Sequence, residues 1–214
     1  MARPRKRPPR NGIGDWAPVV VSPLHDVLSE TERRAILADN PHSYLHVTSD
    51  PPALPELPGD AATESLQAQA LRRLLDLGAY TAMPRPALFV YRLTEQGREH
   101  TGVIASVALG GFGDGRVLGH EAVQPERVAG LVRHYQHVPM RSELVALFHP
   151  VDQVVAELTA RVVTRPPLLV FTDAGGVAQS VWQAGPAEAA ALTRRLSVQR
   201  LYIADGHHRV AAAG

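Results

Sequence analysis

LYIADGHHRVAAA, at residues 201–213, combines an apolar strand, a polar turn and the first residues of a helix. Leu201–Ile203 is apolar throughout, Gly206 permits a tight turn, and Ala211–Ala213 favours a helix. A helix start offers unpaired amide hydrogens and the positive end of the helix dipole. The basic run His207–Arg209 adds positive charge there, which is unfavourable unless a negative group compensates it. The segment therefore predicts a turn that binds a phosphate or a carboxylate.

The same residues are equally compatible with a plain capped helix whose histidines face solvent or stack locally. Asp205 has three candidate roles, which are to cap the helix, to take a proton or to bind a metal ion. Adjacent helical residues diverge by about 100°, so we do not expect His207 and His208 to chelate one metal together. The pair His120-Glu121 could supply a base or a metal ligand, although composition alone favours an ordinary surface pair.

The composition is that of a globular protein, with 214 residues of which 45% are hydrophobic and 20% charged. Cysteine is absent, which excludes disulfides, thiolate nucleophiles and cysteine-bound zinc. No apolar run approaches the roughly 18 residues that a membrane span requires. We expect a cytoplasmic protein with no membrane partner, and the sequence does not indicate its oligomeric state.

The N-terminus, MARPRKRPPR, carries five basic residues and no apolar signal region. We expect residues 1–12 to form a disordered basic leader, and the alternative is a nucleic-acid-binding arm. Removing these five charges from the net charge of +1 leaves the rest of the chain near −4. A nucleic-acid partner is therefore not the favoured expectation.

The predicted fold is α+β, with mixed short β-sheets, hairpins and helices packed on them. Ser29 and Glu32 form a capping box at the start of a helix, and a proline-rich connector follows near residues 51–58. We expect residues 110–119, which are rich in glycine, to form a flexible turn rather than a dinucleotide site. Helices are predicted at 29–39, 61–77, 125–137, 152–161 and 186–196, single strands at 43–47, 144–148 and 201–203, and hairpins at 87–94 with 101–109 and at 168–172 with 177–184.

The sequence stops at Gly214, within the second turn of the last predicted helix. Four terminal carbonyls and one buried face of that helix would lack partners. We therefore expect residues 13–214 to be the N-terminal part of a single α+β domain that is truncated relative to a longer protein.

Five blocks in order resemble the bacterial and archaeal family named domain of unknown function 1015, and the chain is identified as a member of it. The resemblance covers nearly the whole chain after the leader, and that family's usual chain is about twice as long. The four departures are His25 in place of a tyrosine, Val123 in place of a threonine, Arg127 in place of a lysine, and Val128-Ala129-Gly130 in place of an acidic run. The matching blocks are SPLHDVLSETE (22–32), NPHSYLHV (40–47), YRLTEQGREHTG (91–102), GRVLGHEAVQPER (115–127) and LYIADGHHRVAAA (201–213).

The DGHHR turn also resembles the phosphate-binding turn of the ParB/sulfiredoxin superfamily, which includes free serine kinases. By this resemblance Gly206 and the basic run His207–Arg209 (His207, His208 and Arg209) would hold nucleotide phosphates. Asp205 and Glu121 would be the catalytic residues and candidate ligands of Mg²⁺. Asp26 and His120 would face the same pocket.

The resemblance implies a nucleotide-dependent phosphotransferase that uses Mg²⁺ and a nucleoside di- or triphosphate. Its substrate would be a small hydroxylated metabolite such as serine. The alternatives are a nucleotide-binding regulatory protein without turnover, which the missing acidic run favours, and a nucleic-acid-associated protein that uses the basic leader.

Overall fold

The computed structural model describes residues 13–23, 27–49, 60–108 and 110–214. The predictions for the basic leader, the proline-rich connector and Asp26 lie outside these residues. In the described part of the chain the helices are α1 (Ile13–Val20), α2 (Glu30–Asp39), α3 (Leu45–Thr48), α4 (Asp60–Asp76), α5 (Gly110–Gly113), α6 (Pro125–His137), α7 (Gln153–Val162), α8 (Pro186–Leu196) and α9 (His207–Ala213). The strands are β1 (Phe89–Glu95), β2 (Arg98–Ile104), β3 (Val117–Leu118), β4 (Ala146–Phe148), β5 (Leu169–Thr172), β6 (Ala178–Gln183) and β7 (Leu201–Asp205).

The fold is α+β, as predicted, and its strands form two sheets. One sheet has the order β2-β1-β6-β5, which confirms both predicted hairpins. The other has the order β3-β7-β4, with β3 parallel and β4 antiparallel to β7. None of the helices in the described residues is long and apolar enough to cross a membrane.

Helix boundaries follow the local signals in the sequence. The Ser29 hydroxyl accepts the Glu32 amide while the Glu32 carboxylate accepts the Ser29 amide, so the capping box is confirmed. Pro125 occupies the first turn of α6, where its missing amide hydrogen costs nothing. The first hairpin turns more tightly than predicted, because Gln96 and Gly97 both adopt positive φ angles and let β2 begin at Arg98.

Two sequence predictions are wrong. Residues 43–47 were expected to form a strand, yet α3 begins at Leu45, and Ser43, Leu45 and Val47 are almost completely buried. When nearly every residue of a short segment is buried, its hydrophobic residues show neither the two-residue repeat of a strand nor the 3.6-residue repeat of a helix. The sequence alone therefore cannot distinguish the two structures here. The glycine-rich segment 110–119 is not a simple flexible turn, since it contains the helical turn α5 and the strand β3. Gly111 in this turn is buried beside Val117 of β3.

The chain divides into two compact units. The first consists of Met1–Arg85, Arg92–His100 and Leu168–Ser180, and the second of Pro86–Tyr91, Thr101–Pro167 and Val181–Gly214. In the first unit α1 packs on β5 and α3 packs on α2 and α4. The sequence prediction of a single domain over residues 13–214 stays a prediction.

The core of the second unit forms where α7 and α8 pack together. Trp182 is buried in it, and its indole N–H donates to the Arg165 carbonyl at 2.8 Å. The buried residues of this core are Leu88, Val90, Val155, Leu158, Val162, Trp182, Ala184 and Leu192.

Asp152 joins the start of α7 to the end of α8. Asp152 is the N-cap of α7, since one carboxylate oxygen accepts the amides of Val154 and Val155 at 3.0 and 3.2 Å. The other accepts Arg195 Nε at 2.6 Å and Gln199 Nε2 at 2.7 Å. Desolvation acts to raise the pKa of Asp152, but the hydrogen bonds from Val155 and Arg195 outweigh it, so the pKa lies below its usual value.

We predict that Asp152→Asn removes part of the acid sensitivity of folding. A lowered pKa stabilises the fold at pH values above the unfolded value of about 3.9, and the contribution is lost as the pH falls through the folded value. Asparagine still caps α7 but cannot pair with Arg195. The unfolding free energy, measured in urea from pH 7 to pH 3, should be lower at pH 7 and should fall less steeply in acid. A variant with the wild-type profile would contradict the role of this carboxylate.

Candidate functional site

The predicted site lies at one edge of the β3-β7-β4 sheet. Because β3 runs parallel to β7, the carboxyl ends of both strands meet at this edge. Because β4 is antiparallel, its amino end lies there as well. The segments 119–124, 138–145 and 205–209 therefore converge, all of them within the second unit.

Gly206 forms the junction between β7 and α9 and has a φ of 99°. A Cβ atom there would lie 3.1 Å from Arg209 Nε and 3.2 Å from the Val145 side chain. Gly206 itself is the N-cap residue, and no side chain caps the helix. Asp205 therefore does not cap α9, which was one of its three candidate roles.

His207 is buried, with 5% of its side chain exposed, and it contacts the segment that follows β3. Its Nε2 accepts the His120 amide at 3.3 Å, and its Nδ1 lies 3.6 Å from a Glu121 carboxylate oxygen. The His120 ring meets the His207 ring edge to face, with centroids 4.6 Å apart. Since Nε2 is an acceptor, the ring proton of the neutral imidazole belongs on Nδ1, which faces Glu121.

His208 holds the same segment at a second point. Its Nε2 accepts the amide of Gln124, the N-cap residue of α6, at 3.0 Å. The two adjacent rings thus contact different partners, as expected from their divergence on a helix. The His207 and His208 rings are therefore not positioned to bind one metal ion together.

Arg209 folds back over the Gly206 turn and is nearly buried, with 12% of its side chain exposed. Its guanidinium forms an ion pair with Asp205, lies 3.6 Å from Glu143 and donates to the Leu144 carbonyl at 3.0 Å. The Asp205 side chain is 66% exposed. The arginine is therefore fixed by the fold, whereas its aspartate partner reaches into solvent.

The structure brings seven of the eight predicted site residues together, and Asp26 is the exception because it lies outside the described residues. Sequence reasoning missed Glu143, and with it Tyr135 and Arg141 on the same side of the site. No local motif marks any of the three, and Glu143 approaches Arg209 only through tertiary packing. The predicted residues that meet here are His120, Glu121, Asp205, Gly206, His207, His208 and Arg209.

The described residues contain no group of three or more histidine, aspartate or glutamate side chains that could hold a metal ion. Glu121 lies beside His207, while Asp205 is paired with Arg209. These side chains alone do not make a metal site. The expected Mg²⁺ at Asp205 and Glu121 stays a prediction.

Comparison with known proteins gives one match. A family model described as protein of unknown function (DUF1015) matches residues 4–214, which confirms the family resemblance seen in the sequence. Neither the curated proteins nor the solved structures that were searched gave a match. The resemblance to the ParB/sulfiredoxin superfamily therefore stays a prediction.

We predict that Gly206→Ala destabilises the protein by about 1–3 kcal/mol, since a side chain is strained at this φ and meets Arg209 and Val145. Gly130→Ala is the matched control, because it lies within α6 with open space around it and should be neutral or stabilising by up to about 1 kcal/mol. Urea unfolding measures both. Equal stabilities of the two variants would contradict the geometry of the turn.

Proposed function

We propose that this chain, which belongs to the family described as protein of unknown function (DUF1015), binds a nucleoside di- or triphosphate at Arg209 and transfers a phosphoryl group from it to a small hydroxylated metabolite. The observation that carries the proposal is a nearly buried guanidinium whose main counter-ion is a solvent-exposed carboxylate. Serine is the first substrate to test, on the strength of the resemblance of the DGHHR turn to free serine kinases.

An incoming phosphate can replace Asp205 at Arg209 for a small cost. The phosphate restores the negative charge beside the nearly buried guanidinium, and the released Asp205 carboxylate, which is 66% exposed, returns to water. Arg209 keeps its hydrogen bond to the Leu144 carbonyl and its position beside Glu143. A phosphate then gains the planar, forked donor set of a guanidinium that is already held in place.

Glu121 is suited to act as the base. Its side chain is 59% exposed, and the Nδ1 side of His207 faces one of its oxygens. In the proposed reaction Glu121 takes the proton of the substrate hydroxyl while the hydroxyl oxygen attacks the terminal phosphorus. The bond from phosphorus to the bridging oxygen breaks, and the departing nucleotide keeps its electron pair.

The second candidate is a nucleotide-binding regulator without turnover. The replacement of the family's acidic run by Val128-Ala129-Gly130 favours it, because phosphoryl transfer depends strongly on neutralising charge and carboxylates hold the cations that do so. Both candidates use the same anion contact, so binding tests their shared premise and turnover separates them.

We predict that Arg209→Ala lowers the affinity for ADP and ATP at least tenfold, because it removes the anion contact. Arg34→Ala is the matched control, since Arg34 forms an ion pair with Glu30 at the same four-residue spacing on α2. Asp205→Asn should raise the affinity for inorganic phosphate about threefold or more, because it removes the competing carboxylate. A gain of this kind cannot arise from misfolding.

Isothermal titration calorimetry with each ligand, in buffer with and without Mg²⁺, measures these changes. Unchanged affinity in both Arg209→Ala and Asp205→Asn would overturn the assignment of the site. ADP formation from ATP that requires added serine supports the phosphotransferase. Saturable nucleotide binding without product, for serine and for other small alcohols, supports the regulator.

A further inference from the structure

Arg141 supplies a second guanidinium close in sequence to Glu143, whose carboxylate lies 3.6 Å from Arg209 Nη1. It lies two residues before Glu143, in the segment between α6 and β4. Its Cζ atom is 3.8 Å from the centre of the Tyr135 ring, in a cation–π contact. Its Nη1 also donates to the Val138 carbonyl at 3.4 Å, a long hydrogen bond.

Tyr135 connects Arg141 to the surroundings of Arg209. It lies near the end of α6, and the charges of Glu143, Arg141 and Arg209 all act on its phenol. Burial and the Glu143 carboxylate raise the pKa of Tyr135. A tyrosine hydroxyl is protonated at neutral pH and can donate a hydrogen bond. Tyr135, with the Arg141 guanidinium over its ring, therefore belongs to the same group of charged residues as Glu143 and Arg209.

We propose that Arg141, stacked on Tyr135, is a second anion contact beside Arg209, so that the site binds a ligand with two linked phosphates more tightly than the matching monophosphate. This inference rests on the proposed function, because it assumes that Arg209 binds the first phosphate. It identifies Arg141 as the residue that makes the site prefer a diphosphate over a monophosphate.

The stacking geometry leaves Arg141 free to act in this way. A guanidinium that lies on a ring uses its face, and its N–H groups point outward in its own plane, where they can bind an anion. Within the described part of the chain Arg141 contacts a ring and a carbonyl but forms no ion pair with a carboxylate. Arg209, in contrast, already shares its charge with Asp205 and Glu143. Among the described contacts, Arg141 therefore has fewer carboxylate partners than Arg209.

The test compares the affinities of the full chain for ADP and AMP, and for inorganic pyrophosphate and phosphate, by calorimetry. Arg141→Gln removes the charge with little change in side-chain length, and Tyr135→Leu removes the ring on which Arg141 stacks. Arg133→Gln is the matched control, because it removes the same charge from an exposed position on α6. Circular dichroism confirms that each variant is folded.

Arg141→Gln should weaken ADP and pyrophosphate binding about tenfold and AMP and phosphate binding less than twofold. Tyr135→Leu should give a smaller loss of the same selectivity, and Arg133→Gln should give none. If Arg209→Ala abolishes binding but Arg141→Gln leaves the ratio of ADP to AMP affinity unchanged, this inference is wrong and the proposed function stands. If the wild-type chain binds none of the four ligands, both are wrong.

Discussion

The hydrogen bond from the His120 amide to the buried His207 imidazole determines how the site is arranged. A buried ring nitrogen without a partner is costly, so the segment after β3 must supply a donor to it. That segment approaches closely because residue 119 is glycine, and a Cβ atom there would lie 3.2 Å from the His207 ring. This contact fixes the segment 119–124 against the junction of β7 and α9.

The positions of the other functional groups follow from this contact. Glu121 comes directly after His120 and lies beside the second nitrogen of the same ring. His208 accepts the amide at the start of α6, and α6 in turn places Tyr135 near its other end. One helical turn after Asp205, Arg209 returns across Gly206 to pair with it. The histidines therefore act as acceptors that position a segment, while Arg209 and Arg141 are the cations that we propose bind an anion.

Local signals made most of the fold predictable. The capping box at Ser29, the proline at position 125 and the aspartate at position 152 each act within a few residues, and each marks its helix correctly. Helix α1 was not predicted, although Trp16 and Val20 have helical spacing and are buried. The site was located from DGHHR, but its internal pairing was not predictable. Whether Arg209 meets Asp205, Glu143 or solvent depends on the antiparallel register of β4, which brings residues 65 positions apart in the sequence into contact.

The most direct test of this arrangement is the tautomer of His207, read from a long-range proton–nitrogen correlation spectrum of protein with ¹⁵N-labelled histidine at pH 8. Loss of the signal in His207→Gln identifies the ring. If the His120 amide donates to Nε2, the ring must carry its proton on Nδ1. A ring that carries its proton on Nε2, or that exchanges between the two forms, would contradict the account.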